Sequence, residues 1–261
     1  MADTLDIQMI ERDDALCLRR VPGRDKRLVV VFGGAKLPKD GSLRNEFVGT
    51  ASHNGRNPIL MVQDMKCTWY SGAGLVERIS DAIRAEAEAV GAEEIVTIGN
   101  SMGGFGAMLF PREVPVARAL AINPQVSMDP EVIEETRFDE YRPDFGPRQA
   151  ARNVAEIIPT VETRFTVVFG QGSTFDLAHA ALVEPYRRQP NLRLSTVVKT
   201  GHNTARWLKS EGLLVPLVRS VIYGFDQRLG GTLRMIRQRL AKPGAAKPAI
   251  LSRAAREARR A

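Results

Sequence analysis

Eight short stretches rich in apolar residues recur along the chain up to residue 198. Most of them are continuous rather than alternating, a pattern typical of strands buried on both faces of a parallel sheet. The first two stretches are joined by a turn at Asp13-Asp14. We therefore predict strands at 4–10, 15–20, 28–32, 58–63, 94–98, 116–122, 164–169 and 192–198.

Helical periodicity separates several of these strands. Leu75, Ile79, Ile83 and Ala87 recur every four residues, and Gly91 follows as a stop signal. This spacing predicts a helix over 75–90. Shorter patterns predict further helices at 105–110, 177–188 and 204–223.

The order of these elements indicates the fold class. Strands that alternate with helices predict a mostly parallel central sheet flanked by helices on both faces. The longest segment without a strand is 123–163, between the sixth and seventh strands, and we expect it to form a small cap. A chain of 261 residues is long enough for one large α/β domain, which we place at 1–230.

The positive charge of the chain lies at its C-terminus. Residues 232–261 contain nine basic residues and one acidic residue, which gives this segment a net charge of +8. Since the whole chain has a formal net charge of +7, residues 1–231 together carry −1. We expect 231–261 to be a basic tail that contains a flexible linker at 242–248. The tail is either a solvated extension or a contact with an anionic partner or membrane surface. The tail has no Phe, Trp or Tyr to stack on nucleic-acid bases, and we expect no sequence-specific nucleic-acid binding.

Composition excludes several classes of protein. The 44% hydrophobic and 26% charged contents are ordinary for a soluble globular domain. The strongest candidate for a membrane span, 213–223, is interrupted by Pro216 and Arg219. The N-terminal residues are acidic and lack the order of a secretion signal, so we expect a cytoplasmic protein. Cys17 and Cys67 are too few for a disulfide framework or a metal knuckle, and we interpret both as buried thiols.

One motif carries recognisable chemistry. Gly99, Ser101 and Gly103 fit the pattern G-x-S-x-G, with a predicted strand before the serine and an apolar helix after it. A serine at such a strand-turn-helix corner has its hydroxyl raised out of the backbone, and the glycines allow the main chains to approach closely. We therefore predict that Ser101 is a nucleophile.

A serine nucleophile needs a base, and the chain has only three histidines. His202 follows the last predicted strand on a loop with a preceding glycine, at the carboxyl edge of the sheet. His53 lies in a polar loop before the fourth strand, and His179 lies in a predicted helix. We predict His202 as the base and structural roles for the other two.

The base needs an acid to orient it, and that acid should follow a strand between the serine and the histidine. Asp176 meets this description on a glycine-rich loop after the seventh strand, although it could instead cap the following helix. Asp129 is the main rival, while Asp139 and Asp144 lie deeper in the expected cap.

These residues together resemble the α/β-hydrolase superfamily over roughly 4–225. The resemblance rests on Phe32-Gly33-Gly34, the motif around Ser101, Asp176 and Gly201-His202, in the superfamily's order of nucleophile, acid and histidine. It implies an α/β-hydrolase fold. It also implies Ser101 as nucleophile, His202 as general base and then general acid, and Asp176 as the group that holds the imidazole.

The resemblance further implies an oxyanion hole formed by the backbone N–H groups of Gly34 and Met102. Many members of the superfamily have histidine where this chain has Phe32. This departure leaves Gly33 and Ala35 as alternative sources of the first donor.

Substrate signals are few. Trp69 and Tyr70 follow the fourth strand in a loop that could reach the rim of a pocket, where they would bind a sugar or acyl group, or they pack in the core. Lys36 and Lys39 after Gly34 either favour an anionic substrate or are simply solvated.

The residues and the resemblance together predict a serine hydrolase that cleaves a carboxylic ester, small-molecule or glycan, through an acyl-enzyme, with no cofactor and no metal. One alternative is an acyltransferase that uses the same triad, for example on a glycan. Another is a non-catalytic binding protein on the same fold that acts through its basic tail. A dinucleotide-dependent enzyme is disfavoured because no G-x-G-x-x-G or phosphate-binding loop occurs where a strand meets a helix.

Overall fold

A central sheet of eight strands organises the protein. The computed structural model describes residues 5–35, 42–144, 152–198 and 200–224. Within them the strands follow the order β1-β2-β4-β3-β5-β6-β7-β8, and β2 runs antiparallel to both β1 and β4 while the other neighbours are parallel. The strands are β1 (Gln8–Arg12), β2 (Leu16–Val21), β3 (Arg27–Phe32), β4 (Ile59–Asp64), β5 (Glu94–Asn100), β6 (Val116–Ile122), β7 (Arg164–Gly170) and β8 (Leu192–Val197). The prediction of a mostly parallel sheet is confirmed.

The continuous apolar runs reflect a sheet with helices on both faces. Along β3, Leu28, Val30 and Phe32 belong to one apolar cluster, while Val29 and Val31 belong to another on the opposite face. Successive side chains of a strand point to opposite faces, so a strand that is covered twice needs apolar residues at every position.

Within the described ranges, six α-helices cover the two faces of the sheet. On one side α2, α3 and α4 pack on the sheet, and on the other side α1, α5 and α6 do so. Their bounds are α1 (Val48–Ser52), α2 (Leu75–Ala89), α3 (Met102–Leu109), α4 (Thr174–Val183), α5 (Thr204–Ser210) and α6 (Leu214–Tyr223).

The helices differ from the predictions at several points, and α3, for example, begins at Met102 rather than at 105. The predicted helix 204–223 is divided into α5 and α6, because Gly212 between them has a left-handed φ of 68°. Helix α4 begins at Thr174 and is capped by Ser173, whose side chain accepts the N–H of Asp176. The short helix α1 was not predicted.

The segment expected to form a cap lies between β6 and β7. Its described residues contain two 3-10 helices, Asp139–Asp144 and Val154–Thr160, and no strand. Phe138, Val154 and Ile158 are buried against the core cluster on the α3 side of the sheet. Residues 145–151 and the predicted tail 231–261 lie outside the described residues.

Two smaller expectations concern the cysteines and the membrane. Cys17 and Cys67 are free and buried, as predicted. Each helix in the described part of the chain is too short or too polar to cross a bilayer.

Candidate active site

Ser101 occupies the corner between β5 and α3. Its φ of 58° and ψ of −123° are unusual for a residue with a side chain, and its N–H donates to the Ile122 carbonyl oxygen at 3.0 Å. Such strained backbone conformations persist only where the surrounding structure enforces them, and they concentrate at functional sites. The corner places the serine at the carboxyl edge of the sheet.

The two glycines of the motif are required sterically. A Cβ atom at Gly99 would lie 1.9 Å from the Gly103 carbonyl oxygen, and a Cβ atom at Gly103 would lie 2.2 Å from the Phe32 carbonyl oxygen. Both positions face backbone atoms, which cannot move aside as a flexible side chain could. The spacing of the motif therefore follows from the close contact among β3, β5 and α3.

Ser101, His202 and Asp176 form a continuous hydrogen-bonded chain. His202 Nε2 lies 2.8 Å from Ser101 Oγ, and His202 Nδ1 lies 2.7 Å from Asp176 Oδ1. Asp176 is 1% exposed in the first turn of α4, and His202 lies on the loop between β8 and α5. The structure therefore brings together the three residues predicted as nucleophile, base and acid. This arrangement can move the serine proton to the imidazole.

The rival histidines have other partners. His53 Nδ1 lies 2.7 Å from the Tyr223 hydroxyl, and burial lowers the pKa of His53. His179 is fully buried and its Nε2 lies 3.2 Å from Glu135 Oε2. Burial lowers the pKa of His179 as well. These contacts are those of structural histidines.

The rival acids also lie elsewhere. Asp129 forms an ion pair with Arg152 and accepts the N–H of Glu131 at 2.8 Å. Asp139 and Asp144 belong to the 3-10 helix of the segment after β6. Of the four candidate acids, Asp176 is the one seen beside His202.

A buried asparagine at the end of β6 ties the loops of the site together. Asn123 Oδ1 accepts the N–H of Gly170 at 2.7 Å, and its Nδ2 donates to the Gly201 carbonyl oxygen at 3.1 Å. The loops that carry Asp176 and His202 begin at Gly170 and include Gly201, so one side chain fixes both. The sequence offered no motif by which Asn123 could have been found.

A second hydrogen-bond partner of Ser101 was also missed. Gln125 Oε1 lies 3.1 Å from Ser101 Oγ and accepts the Trp69 Nε1–H at 3.1 Å. Since Trp69 donates only, it fixes the Gln125 amide with its oxygen towards Ser101. Trp69 therefore acts on the nucleophile through Gln125.

The prediction that Trp69 and Tyr70 reach the rim of a pocket is wrong. Trp69 is 1% exposed and Tyr70 is fully buried, and neither lines the cleft at Ser101. The loop folds inward because Asp64 Oδ2 accepts the backbone N–H groups of Thr68 at 2.7 Å and Tyr70 at 2.9 Å. The Tyr70 hydroxyl then donates to the Gly33 carbonyl oxygen at 2.7 Å.

The two expected oxyanion donors have different surroundings. Met102 is the first residue of α3, where backbone N–H groups have no partner within the helix. The Glu46 carboxyl group, in contrast, lies close to Gly34, where an added Cβ atom would be 3.4 Å from Glu46 Oε2. Burial raises the pKa of Glu46, and the charge of Arg44 together with the nearby backbone of Gly34 opposes that rise. The alternative donor Gly33 is excluded because its N–H donates to the Val62 carbonyl oxygen at 2.8 Å.

An ion pair between the buried carboxylate of Glu135 and Arg137 lies beside Asp176. Glu135 is fully buried and is paired with Arg137, whose guanidinium lies 4.0 Å from Asp176 Oδ1 and over the Phe175 ring. Burial alone would raise the pKa of Glu135. The hydrogen bonds from His179 and Arg137 outweigh burial and hold that pKa at about 2.

The hydroxyl of Ser101 opens into a cleft of about 900 Å³. A cleft of this size accommodates a drug-sized ligand rather than a small acyl group alone. Its walls come from the loop after β3, from α1, from the segment after β6 and from α5. Lys36 and Lys39 lie outside the described residues. Within the described ranges, no group of three or more His, Cys, Asp or Glu side chains is placed to bind a metal ion.

Comparisons with known proteins identify the fold. No protein-family model and no curated protein sequence matches the chain. Several solved structures, in contrast, are similar to this chain. The fluorophosphonate-binding serine hydrolase F of Staphylococcus aureus is 10% identical with a TM-score of 0.60, over 82% of this chain and 98% of that chain. The capsule O-acetyltransferase of Neisseria meningitidis serogroup A is 15% identical with a TM-score of 0.56, over 79% and 93%.

A third neighbour is the carboxylesterase CesB of Bacillus subtilis, 13% identical with a TM-score of 0.54, over 85% of this chain and 92% of that chain. At these identities the likeness shows a common fold alone. The protein has the α/β-hydrolase fold, as the sequence predicted.

Proposed function

We propose that this protein is a serine hydrolase that cleaves a carboxylic ester through an acyl-enzyme on Ser101. The observation that carries the proposal is the chain of two hydrogen bonds, 2.8 and 2.7 Å long, from Ser101 through His202 to Asp176. A lone hydroxyl is a poor nucleophile, and this chain provides both the base and the group that orients it.

The first half of the reaction forms the acyl-enzyme. Ser101 Oγ attacks the ester carbonyl carbon while His202 Nε2 takes the hydroxyl proton, and the carboxylate of Asp176 stabilises the resulting imidazolium. The imidazolium then protonates the departing alcohol. In the second half, His202 Nε2 takes a proton from a water molecule that attacks the acyl carbon. The bond between that carbon and Ser101 Oγ then breaks, the carboxylic acid leaves, and the imidazolium returns its proton to Oγ.

The negative charge of the tetrahedral intermediate needs donors beside Ser101. The N–H of Met102, at the start of α3, is the donor that the geometry supports best. The N–H of Gly34, close to the Glu46 carboxyl group, serves as the second donor to the oxyanion. Loss of one such donor typically costs about 3 kcal/mol of transition-state stabilisation.

Labelling by a fluorophosphonate probe tests the nucleophile. We expect the folded protein to be labelled, Ser101→Ala to remain unlabelled, and Ser210→Ala, at an exposed serine on α5, to be labelled like the wild type. A folded wild-type protein that stays unlabelled would count against the proposal. Hydrolysis of p-nitrophenyl esters of increasing chain length would then define the acyl group.

Acyl transfer is the second candidate because it shares every step up to the acyl-enzyme. One structural neighbour is an O-acetyltransferase that has been studied in complex with coenzyme A. A cleft of about 900 Å³ has room for an acceptor alcohol beside the acyl group. Incubation with an ester and an added alcohol or glycan separates the two candidates, since hydrolysis releases the free acid and transfer yields a new ester.

A further inference from the structure

One wall of the cleft carries unpaired positive charge. Arg206 and Lys209 are exposed residues of α5 that line the same cleft as Ser101. Residues three apart on a helix share a face, so the two side chains extend side by side. Because α5 begins directly after the loop of His202, both cations belong to the surroundings of the reacting groups.

These two cations differ from the other charged residues of the cleft. The guanidinium of Arg137 is neutralised by Glu135, and Arg44 lies 3.9 Å from Glu46. Arg206 and Lys209 form no ion pair with any residue in the described ranges. Glu46 is the acidic residue among those that line the cleft, and its ion-pair partner is Arg44 rather than a residue of α5.

We propose that the substrate carries an anionic group of the phosphate or sulfate class, which Arg206 and Lys209 bind while the ester lies at Ser101. This inference rests on the proposed function and adds the substrate class to it. Guanidinium and ammonium groups bind such oxyanions through charge-assisted hydrogen bonds. A positive wall in a concave site also attracts anionic substrates before they bind.

The cations act on binding and orientation rather than on the chemical step. Arg206 and Lys209 form no hydrogen bond or ion pair with Ser101, His202 or Asp176, so a neutral ester should react at the same rate with or without them. The proposal thus separates anionic from neutral substrates that have the same reacting group.

Steady-state kinetics with matched esters tests this separation. Phenyl acetate, 4-acetoxybenzenesulfonate and 4-acetoxyphenyl phosphate differ in charge on the alcohol side. The p-nitrophenyl esters of benzoic and 4-sulfobenzoic acid differ in charge on the acyl side. The double variant Arg206→Gln/Lys209→Gln is compared with the wild type on each substrate, so that intrinsic reactivity cancels.

We expect kcat/KM of the double variant to fall about tenfold to a hundredfold on the anionic members of either the alcohol-side or the acyl-side series, because it loses one or both charge contacts at about one decade each. On the neutral members it should change less than about twofold, since no charge contact is lost there. Added salt should weaken the wild type on anionic substrates and leave the double variant nearly unaffected. Arg188→Gln is the matched control, because Arg188 is exposed just before β8, at the opposite edge of the sheet from Ser101.

A binding measurement tests the role of Arg206 and Lys209 without turnover of the substrate. Calorimetry of Ser101→Ala with 4-acetoxyphenyl phosphate should show binding that the added double substitution abolishes and Arg188→Gln retains. The inference would be overturned if kcat/KM fell equally on neutral and anionic esters in both the alcohol-side and the acyl-side series, or if all variants bound the phosphate ester equally. A protein that binds the phosphate ester but is neither labelled nor active would instead overturn the proposed function alone.

Discussion

The negative charge of Asp176 is predicted to stabilise the His202 imidazolium, and Asp176→Asn tests this role. In Asp176→Asn the amide oxygen can still accept the proton of His202 Nδ1 at the position of Oδ1, 2.7 Å away. The amide nitrogen would then occupy the position of Oδ2, which is buried and has no partner among the described residues. The geometry of the resting site is therefore retained, and the change removes charge.

The expected loss follows from that geometry. A contact of 2.7 Å between Nδ1 and Oδ1 places the centres of imidazolium and carboxylate about 4 Å apart, which corresponds to about 4 kcal/mol at an effective dielectric constant of about 20. This interaction exists once the imidazole has taken the serine proton, so it stabilises the transition state and not the ground state. At about 1.4 kcal/mol per decade, kcat should fall about a thousandfold.

Arg137 changes this estimate little. Its guanidinium lies 4.0 Å from Asp176 Oδ1 but is paired with the buried carboxylate of Glu135. We therefore expect the loss to appear in kcat while KM stays within about a factor of three, since ground-state binding is unchanged.

The assay is hydrolysis of a p-nitrophenyl ester under saturating conditions, with thermal unfolding to establish that the variant folds. Asp129→Asn is the matched control, because Asp129 is also a buried, ion-paired aspartate on a loop after a parallel strand but contacts Arg152 instead. The control should keep its activity within a few fold. A loss below about tenfold in a folded Asp176→Asn protein would refute the assigned role.

Three further predictions concern the groups around the triad. Gly99→Ala should unfold the corner or cost more than about 3 kcal/mol in the free energy of unfolding, measured by urea denaturation, because its Cβ would lie 1.9 Å from a backbone oxygen. Trp69→Phe should not lower kcat and should raise it up to about threefold with little change in KM, since the freed Gln125 amide no longer holds its oxygen in competition with His202 Nε2 for the Ser101 proton. Glu135→Gln should destabilise the protein by about 3 kcal/mol at neutral pH, because the pKa of Glu135 is held at about 2 rather than 4.5. A group with a lowered pKa stabilises the fold above its unfolded value, so this difference should shrink as the pH falls from about 4.5 towards 2 in pH-dependent denaturation.

The sequence predicted the fold because the relevant signals are local. Continuous apolar runs such as that of β3 require burial on both faces, and the glycines beside Ser101 require a tight corner. Asp176 and His202 could be predicted because parallel strands deliver the loops at their carboxyl ends to one edge of the sheet. Chain order then restricted the choice of acid and base.

Other parts of the site depend on contacts between distant residues, which no local pattern records. Gln125 and Trp69 lie 56 residues apart, and only the folded chain shows that Gln125 contacts both Trp69 and Ser101. Trp69 and Tyr70 looked suited to a pocket rim, but the Asp64 carboxylate turns their loop inward. The position of the Glu46 carboxyl group beside Gly34 likewise could not be predicted from the polar loop that carries it.

The central claim is that Ser101 carries the acyl group during the reaction. Mass spectrometry of the protein quenched during hydrolysis of a slowly released acyl ester measures this directly. We predict that the peptide containing Ser101 gains the mass of the acyl group, and that neither this adduct nor ester hydrolysis occurs in Ser101→Ala. Acylation of a different residue, or hydrolysis at the wild-type rate by a folded Ser101→Ala protein, would contradict the account.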